Sequence, residues 1–134
     1  MSSLRRIRPL AALALVASAV GTLLVTAPTA QASWFNELQA CKNAYGSEVY
    51  MAWEIPTVVL AKGSSGVCVR ELQEELLEAG AVRSEDRPGF VDGQFGPKTY
   101  NAVVNFQRSG STQGGPDGIV GIKAWGYLIP AAEG

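Results

Sequence analysis

The sequence predicts an all-α fold: a small three-helix bundle with an internal pseudo-repeat and a disulfide-tethered N-terminal helical extension. Two observations predict it. Apolar residues recur at helical intervals in separate segments, and one short turn motif occurs twice, each time just before such a segment. The chain has 134 residues, which is the length of a single domain. We therefore expect one core to which each helix contributes an apolar face.

The first segment, residues 1–32, has the three parts of a secretory signal peptide. Three arginines lie among the first eight residues, residues 10–25 are almost entirely apolar, and Ala30-Gln31-Ala32 offers small residues for cleavage. An apolar run of about 16 residues is shorter than a membrane span requires. We expect export with cleavage after Ala32, by the general secretory route first and the twin-arginine route as the alternative.

The N-terminal extension, residues 33–59, begins with a predicted helix. Its apolar and aromatic residues recur at intervals of four, three and four, and they are Trp34, Leu38, Cys41 and Tyr45. Residues 49–60 are apolar but contain Pro56 and a β-branched run, so we predict an extended connection there.

Two cysteines, Cys41 and Cys68, predict one disulfide bond. An even pair in an exported chain is most simply structural, and a redox role lacks the C-x-x-C spacing. Closing this loop contributes roughly 3.5 kcal/mol to the free energy of unfolding on the chain-entropy model.

The domain that follows, residues 60–130, carries three predicted helices. The first follows the turn cluster 62–66, the second begins at Pro97 and the third begins near Ile122. We predict that the acidic residues of the first helix, Glu71, Glu74, Glu75 and Glu78, form a solvated face. The apolar residues predicted for the core are Val69, Leu72, Leu76, Phe95, Val103, Phe106 and Val120.

The repeated motif is D-G-x-apolar-G-x-K. It occurs at residues 92–98 and again, 25 residues later, at residues 117–123. Asp-Gly favours a tight turn because glycine tolerates positive φ, and the apolar residue then enters the core. The two copies predict two similar entrances into one bundle.

Composition excludes several functions. The full chain carries a net charge of −1, which falls to −4 once the three signal-peptide arginines are removed, and it has no basic run. That argues against a nucleic-acid partner. The absence of histidine excludes Ser-His-Asp, Cys-His and His-ligated zinc catalysis by this chain alone.

The ordered motifs resemble the type-1 peptidoglycan-binding domain over about residues 60–128. The resemblance implies a three-helix fold and non-catalytic attachment to peptidoglycan, with no enzymatic activity, cofactor or metal. Two positions depart from the pattern, since Ile122 replaces the usual proline and Ala124 a frequent threonine. The motifs on which this resemblance rests are Gly63-Ser64-Ser65-Gly66, Val69-x-x-Leu72-Gln73-x-x-Leu76, Asp92-Gly93-x-Phe95-Gly96-Pro97-x-Thr99, Ala102-Val103-x-x-Phe106-Gln107 and Asp117-Gly118-Ile119-Val120-Gly121.

Polar residues at the two turns and at the start of the second helix are the candidate peptidoglycan ligands. Gln94 is the strongest, because a long amide in a turn can bond an N-acetyl group or a stem peptide. For the two aspartates the alternative is structural, since a carboxylate also caps turns and helix N-termini. The full set is Asp92, Gln94, Thr99, Tyr100, Asn101 and Asp117.

Two other functions stay open. One is a secreted interaction protein, a partner or inhibitor of an exported wall enzyme acting in trans, which would use the aromatic residues of the extension. Those residues are Trp34, Phe35, Tyr45, Tyr50 and Trp53. The other is a small glycosidase with acids chosen from Glu54, Asp92 and Asp117. Both are ranked below the wall-binding module, which we expect to stand alone outside the cell without a membrane span.

Overall fold

The computed structural model describes residues 30–111 and 115–134 and is mostly helical. Among these residues there are four α-helices and one two-stranded hairpin. Short helical turns at Ser84–Asp86 and Gln107–Ser111 connect them. The elements are α1 (Ala30–Tyr45), β1 (Ser47–Tyr50), β2 (Trp53–Pro56), α2 (Val67–Glu78), α3 (Pro97–Phe106) and α4 (Ile122–Glu133).

Residues 1–29 and 112–114 lie outside the described residues, so most of the predicted signal peptide does too. Within the described ranges, no helix is long and apolar enough to cross a membrane.

The β1–β2 hairpin corrects the purely α-helical prediction and the extended connection predicted for this segment. The strands pair antiparallel from Ser47 opposite Pro56 to Tyr50 opposite Trp53. Met51 and Ala52 form the turn with φ values of 51° and 78°, both in the left-handed region. Two-residue hairpins with such turns normally use Asn-Gly, and that signal is missing from this sequence.

The predicted disulfide is confirmed and joins α1 to α2 through Cys41 and Cys68. The extension packs into the same core as the rest of the chain, because Cys41 and Ile55 are fully buried. The Trp125 indole N–H also donates to the Val58 carbonyl at 3.0 Å. The extension is thus bonded to both the second and the last helix.

The predicted core residues are buried, and Trp125 is the largest fully buried side chain. The five core residues predicted from helical spacing belong to one hydrophobic cluster, and so do Phe95 and Val120, which were predicted from the repeated turn motif. Helical periodicity therefore identified the inward faces of α2 and α3 correctly.

The prediction of a solvated acidic face on α2 is wrong for two of its members. Glu71 and Glu75 are fully buried, whereas Glu78 is exposed and Glu74 half-buried. The reason is that α2 contacts both α1 and α4, so more than one of its faces is covered. The apolar stripe in the sequence of α2 predicts one buried face, and it does not indicate that a second helix covers another face.

Candidate functional site

The first corner, which we define as residues 92–97, is held by a buried glutamine of α2. The Gln73 side-chain amide donates to Asp92 Oδ1 at 2.9 Å and to the Gln94 carbonyl at 3.1 Å. Its Oε1 accepts the backbone N–H groups of Asp92 and Gly93, each at 2.9 Å. Gly93 has a φ of 76°, the left-handed conformation that the Asp-Gly turn requires. One side chain thus bonds four polar groups of the turn.

The second corner, residues 117–122, has the same arrangement around Gln107. Its amide donates to Asp117 Oδ1 at 2.9 Å and to the Ile119 carbonyl at 3.0 Å, and its Oε1 accepts the Gly118 N–H at 2.9 Å. Gly118 has a φ of 75°. The two corners therefore share one hydrogen-bonding pattern.

Asp92 and Asp117 each perform a structural task at their corner. Asp92 Oδ1 accepts the Gln94 N–H and Asp117 Oδ1 accepts the Ile119 N–H, both at 2.9 Å. The bond from Gln73, followed by that from the Gln94 backbone, lowers the pKa of Asp92 from its ordinary value. Both residues are exposed, so the turn bonds do not remove them from contact with a ligand.

The segment 60–66 pairs with both corners. Leu60 and Val120 exchange backbone hydrogen bonds of 2.9 and 2.8 Å at the second corner. At the first corner, Gly63 N–H donates to the Phe95 carbonyl at 3.0 Å, and Phe95 N–H donates to the Ser64 carbonyl at 2.9 Å. This segment is the backbone connection between the two corners.

A pocket of about 360 Å³ lies at the first corner, where α3 begins. Its size is within the range of small-molecule sites, roughly 300–1,000 Å³. It combines an anion, a cation and an amide with an apolar surface. Residues that line it include Phe90, Asp92, Gln94, Pro97, Lys98 and Thr99.

Three of the six predicted ligand residues lie together in this pocket: Asp92, Gln94 and Thr99. Gln94 is exposed and free to extend into the opening, whereas Thr99 is buried. The Thr99 hydroxyl accepts the Gln73 amide at 3.0 Å and so supports the corner from beneath. A ligand role for any of the six stays a prediction.

The other three predicted residues do not line this pocket. Tyr100 is half-buried, its ring covers Gly118, and the Lys62 ammonium lies 4.4 Å from the ring centroid. Asn101 is exposed on α3, and Asp117 belongs to the second corner. The single groove predicted for all six residues is therefore divided in the structure.

Sequence reasoning missed the two glutamines as the organisers of the site. A signal was available, because each follows a core residue in a helix that precedes an Asp-Gly turn, as Leu72-Gln73 and Phe106-Gln107. Lys98 and Phe90 were also not predicted as pocket residues. In the part of the chain that the structure describes, no group of three or more Cys, Asp or Glu residues is arranged to hold a metal ion.

Residues 65–128 match the peptidoglycan binding domain family. This segment belongs to that family. The match confirms the resemblance stated from the motifs, and both corners of the peptidoglycan binding domain lie inside it. No solved structure is significantly similar to this chain.

Two curated proteins are similar to parts of the chain. An uncharacterized protein in the bpoA1 3′ region of Kitasatospora aureofaciens is 43% identical over 70 residues, which are 52% of this chain and 54% of that protein. A zinc D-Ala-D-Ala carboxypeptidase of Streptomyces albus G is 36% identical over 102 residues, 72% of this chain and 32% of that protein. The chain thus spans about half of one relative and a third of the other.

The second similarity extends beyond the peptidoglycan binding domain itself. A match over 72% of the chain cannot fit into residues 65–128 and the six residues after them. It therefore includes part of the N-terminal extension, which agrees with the packing of that extension into the common core.

Proposed function

We propose that this protein is a non-catalytic module that binds bacterial peptidoglycan in the pocket at the first corner. The observation that carries the proposal is the position of that pocket. It opens within the segment that matches the family, and its rim presents the exposed amide of Gln94 beside Asp92 and Lys98.

The chemistry of the pocket suits a polymer of N-acetylated sugars and short peptides. The Gln94 amide can donate to an acetamido carbonyl and accept from a peptide N–H. The Lys98 ammonium attracts a stem-peptide carboxylate, and the Asp92 carboxylate attracts a stem-peptide amine. Pro97, which is exposed in the pocket, offers apolar surface for methyl groups. Because one small pocket gives modest affinity, we expect retention on the wall to depend on many repeated sites.

The finer organisation belongs to the same proposal. Residues 1–32 direct export, residues 33–59 form the extension, and residues 60–130 form a three-helix bundle whose two corners are a pseudo-repeat. A disulfide agrees with an oxidising location outside the cell. The protein would then act in the cell wall or in the medium.

The absence of catalysis is part of the proposal and is supported by the bonds of the acidic candidates. Glu54 lies on the hairpin, where it accepts hydrogen bonds from Lys42 at 2.9 Å and Ser47 at 2.7 Å. Asp92 and Asp117 are bonded into separate corners by different glutamines. A glycosidase needs one free acid and one free base facing a common bond.

The experiment is sedimentation of the purified mature protein with insoluble wall sacculi. We expect the protein in the pellet, with the bound fraction falling modestly as salt rises because charged groups line the pocket. Protein that remains in the supernatant at every salt concentration contradicts the proposal. The supernatant is also assayed for released muropeptides, and their release by protein free of other enzymes would contradict the non-catalytic part.

A partner role in trans is the second candidate and rests on a different surface. Tyr45, Val49 and Met51 of the extension and hairpin are more than half exposed. Tyr50 and Trp53 instead pack against the core, so only part of the predicted aromatic surface is available. The side chains of Trp34 and Phe35 lie outside the described ones.

A further inference from the structure

Two carboxyl groups are buried on the first helix of the domain, which is covered by both α1 and α4. Glu71 faces Glu37 and Lys42 of α1, and Glu75 faces Glu133 of α4. Glu71 and Glu75 lie one turn apart on α2 and are fully buried. None of their four carboxyl oxygens accepts a hydrogen bond from the backbone or from another donor side chain among the described residues. The two carboxyls can bond only to each other, which requires a proton on one of them. One oxygen of Glu37 on α1 is buried in the same way. Such an arrangement costs free energy and needs an explanation.

The pair is stable in this position only in its neutral form. Moving a carboxylate out of water is far more costly than moving a carboxylic acid, so burial favours the protonated state. Burial raises the pKa of Glu71 to about 8 and that of Glu75 to about 10, and the proximity of Glu71 adds to the second rise. Near neutral pH the folded protein therefore holds protons that an unfolded chain would release.

The charged groups around the pair do not neutralise it. Lys42 forms an ion pair with Glu54 at 2.9 Å, and Arg70 forms one with Glu37 at 3.1 Å. The remaining neighbours are acidic and oppose ionisation. The groups that face the pair are Glu37 and Lys42 from α1, Glu133 from α4, and Glu74 and Glu78 from α2 itself.

We propose that the contact between α1 and α2 is a pH-sensitive clasp, closed while Glu71 and Glu75 are neutral and loosened when they ionise. The geometry supports a hinge of this kind, since Cys68 lies one turn before Glu71 and is bonded to Cys41 on α1. The disulfide keeps the extension attached after the helices separate. The clasp is closed in acid and loosens as the pH rises through the raised pKa values.

Arg70 connects this clasp to the first corner. Its Nε donates to Glu37 on α1, and its aliphatic part lies against Gly93, where an added Cβ would come within 3.2 Å of Arg70 Cγ. Loosening α1 removes the partner of Arg70 and frees the side chain that covers the turn. The clasp is independent of the proposed wall binding and is tested without it.

The test is the rate at which a phosphine reductant opens the buried Cys41–Cys68 bond. Cys41 is fully buried and Cys68 is 3% exposed, so reduction reports separation of α1 from α2. We compare the wild type with the double variant Glu71→Gln, Glu75→Gln at each pH, which cancels the pH dependence of the reductant. Glu78→Gln is the control for loss of a charge on the same helix, because Glu78 is exposed and its replacement leaves both buried carboxyls in place.

For the wild type, normalised to the double variant, we expect the reduction rate to rise at least about tenfold between pH 6 and pH 10. Glu78→Gln should keep this rise, shifted at most slightly toward lower pH because one charge that opposes the ionisation of Glu75 is removed. Identical pH profiles for wild type and double variant overturn the proposal, as does loss of the rise in Glu78→Gln. If the double variant does not fold, Glu71→Gln and Glu75→Gln are measured separately. If both single variants show the same pH profile as the wild type, the proposal is equally overturned.

Discussion

Gln107 makes at the second corner the contacts that Gln73 makes at the first. Each side-chain amide donates to the aspartate of an Asp-Gly turn at 2.9 Å, and its oxygen accepts the backbone N–H of the glycine of the same turn at 2.9 Å. Both glutamines are buried, so their amides depend on these turn groups for hydrogen bonds. A buried amide that loses its partners costs about 1–3 kcal/mol for each group left unsatisfied. These two residues therefore define both turns.

Because Gln73 and Gln107 have equivalent roles at two different corners, replacing each in turn separates an effect on stability from an effect on binding. We expect Gln73→Leu and Gln107→Leu each to lower the free energy of unfolding by about 2–4 kcal/mol, because both leave turn groups unpaired. Denaturant unfolding measures this loss. Sacculus binding should fall only for Gln73→Leu, since the pocket lies at the first corner. An equal loss of binding in Gln107→Leu would place the ligand elsewhere.

Gln94→Ala should weaken sacculus binding with little effect on the melting temperature. Its side chain is exposed in the pocket, so its removal takes away an amide without disturbing the core. We expect a loss of about 0.5–1.5 kcal/mol in binding, the size of one hydrogen bond. Gln39→Ala is the control, because that amide is exposed on α1 and does not line the pocket. Normal binding by Gln94→Ala would mean that peptidoglycan does not bind in this pocket.

Removal of the disulfide should destabilise the protein strongly. The double change Cys41→Ser, Cys68→Ser opens a loop of 27 residues and should cost roughly 3.5 kcal/mol of the free energy of unfolding. Both cysteines are replaced because a single replacement would leave a free thiol that could cause aggregation. Thermal melting in the absence of reductant measures the effect. A melting temperature equal to that of the wild type would show that the bond does not constrain the unfolded chain.

The hairpin turn offers a stabilising change. Ala52 has a φ of 78°, a conformation that costs a non-glycine residue about 1 kcal/mol, so Ala52→Gly should raise the free energy of unfolding by up to that amount. Ala52→Val should lower it, since a β-branched side chain fits this region worse. Denaturant unfolding of both variants measures the difference. A more stable valine variant would contradict the turn geometry.

The helices could be predicted because their information is local. Val69, Leu72 and Leu76 reveal the inward face of α2 by spacing alone, and the chain indeed buries them. The hairpin could not be predicted in the same way. Met51 and Ala52 carry no turn signal, and the strands gain their stability from burial of Ile55 against other elements.

The candidate site was predicted in part. Asp92 and Gln94 lie together because they are two residues apart in one turn. Tyr100 and Asp117 lie elsewhere, because the second corner pairs with Leu60 and the Tyr100 ring is used to cover Gly118. Distances between segments that are far apart in sequence depend on packing, which spacing does not encode.

The sequence by itself determined the positions of the helices, the two Asp-Gly turns, the cysteine pair and the family, all of which rest on residue type and short-range spacing. Only the tertiary structure decided that Glu71 and Glu75 are buried and that a glutamine closes each corner. The physical reason is that burial is set by the number of elements covering a surface. That number depends on how the helices and the extension pack together.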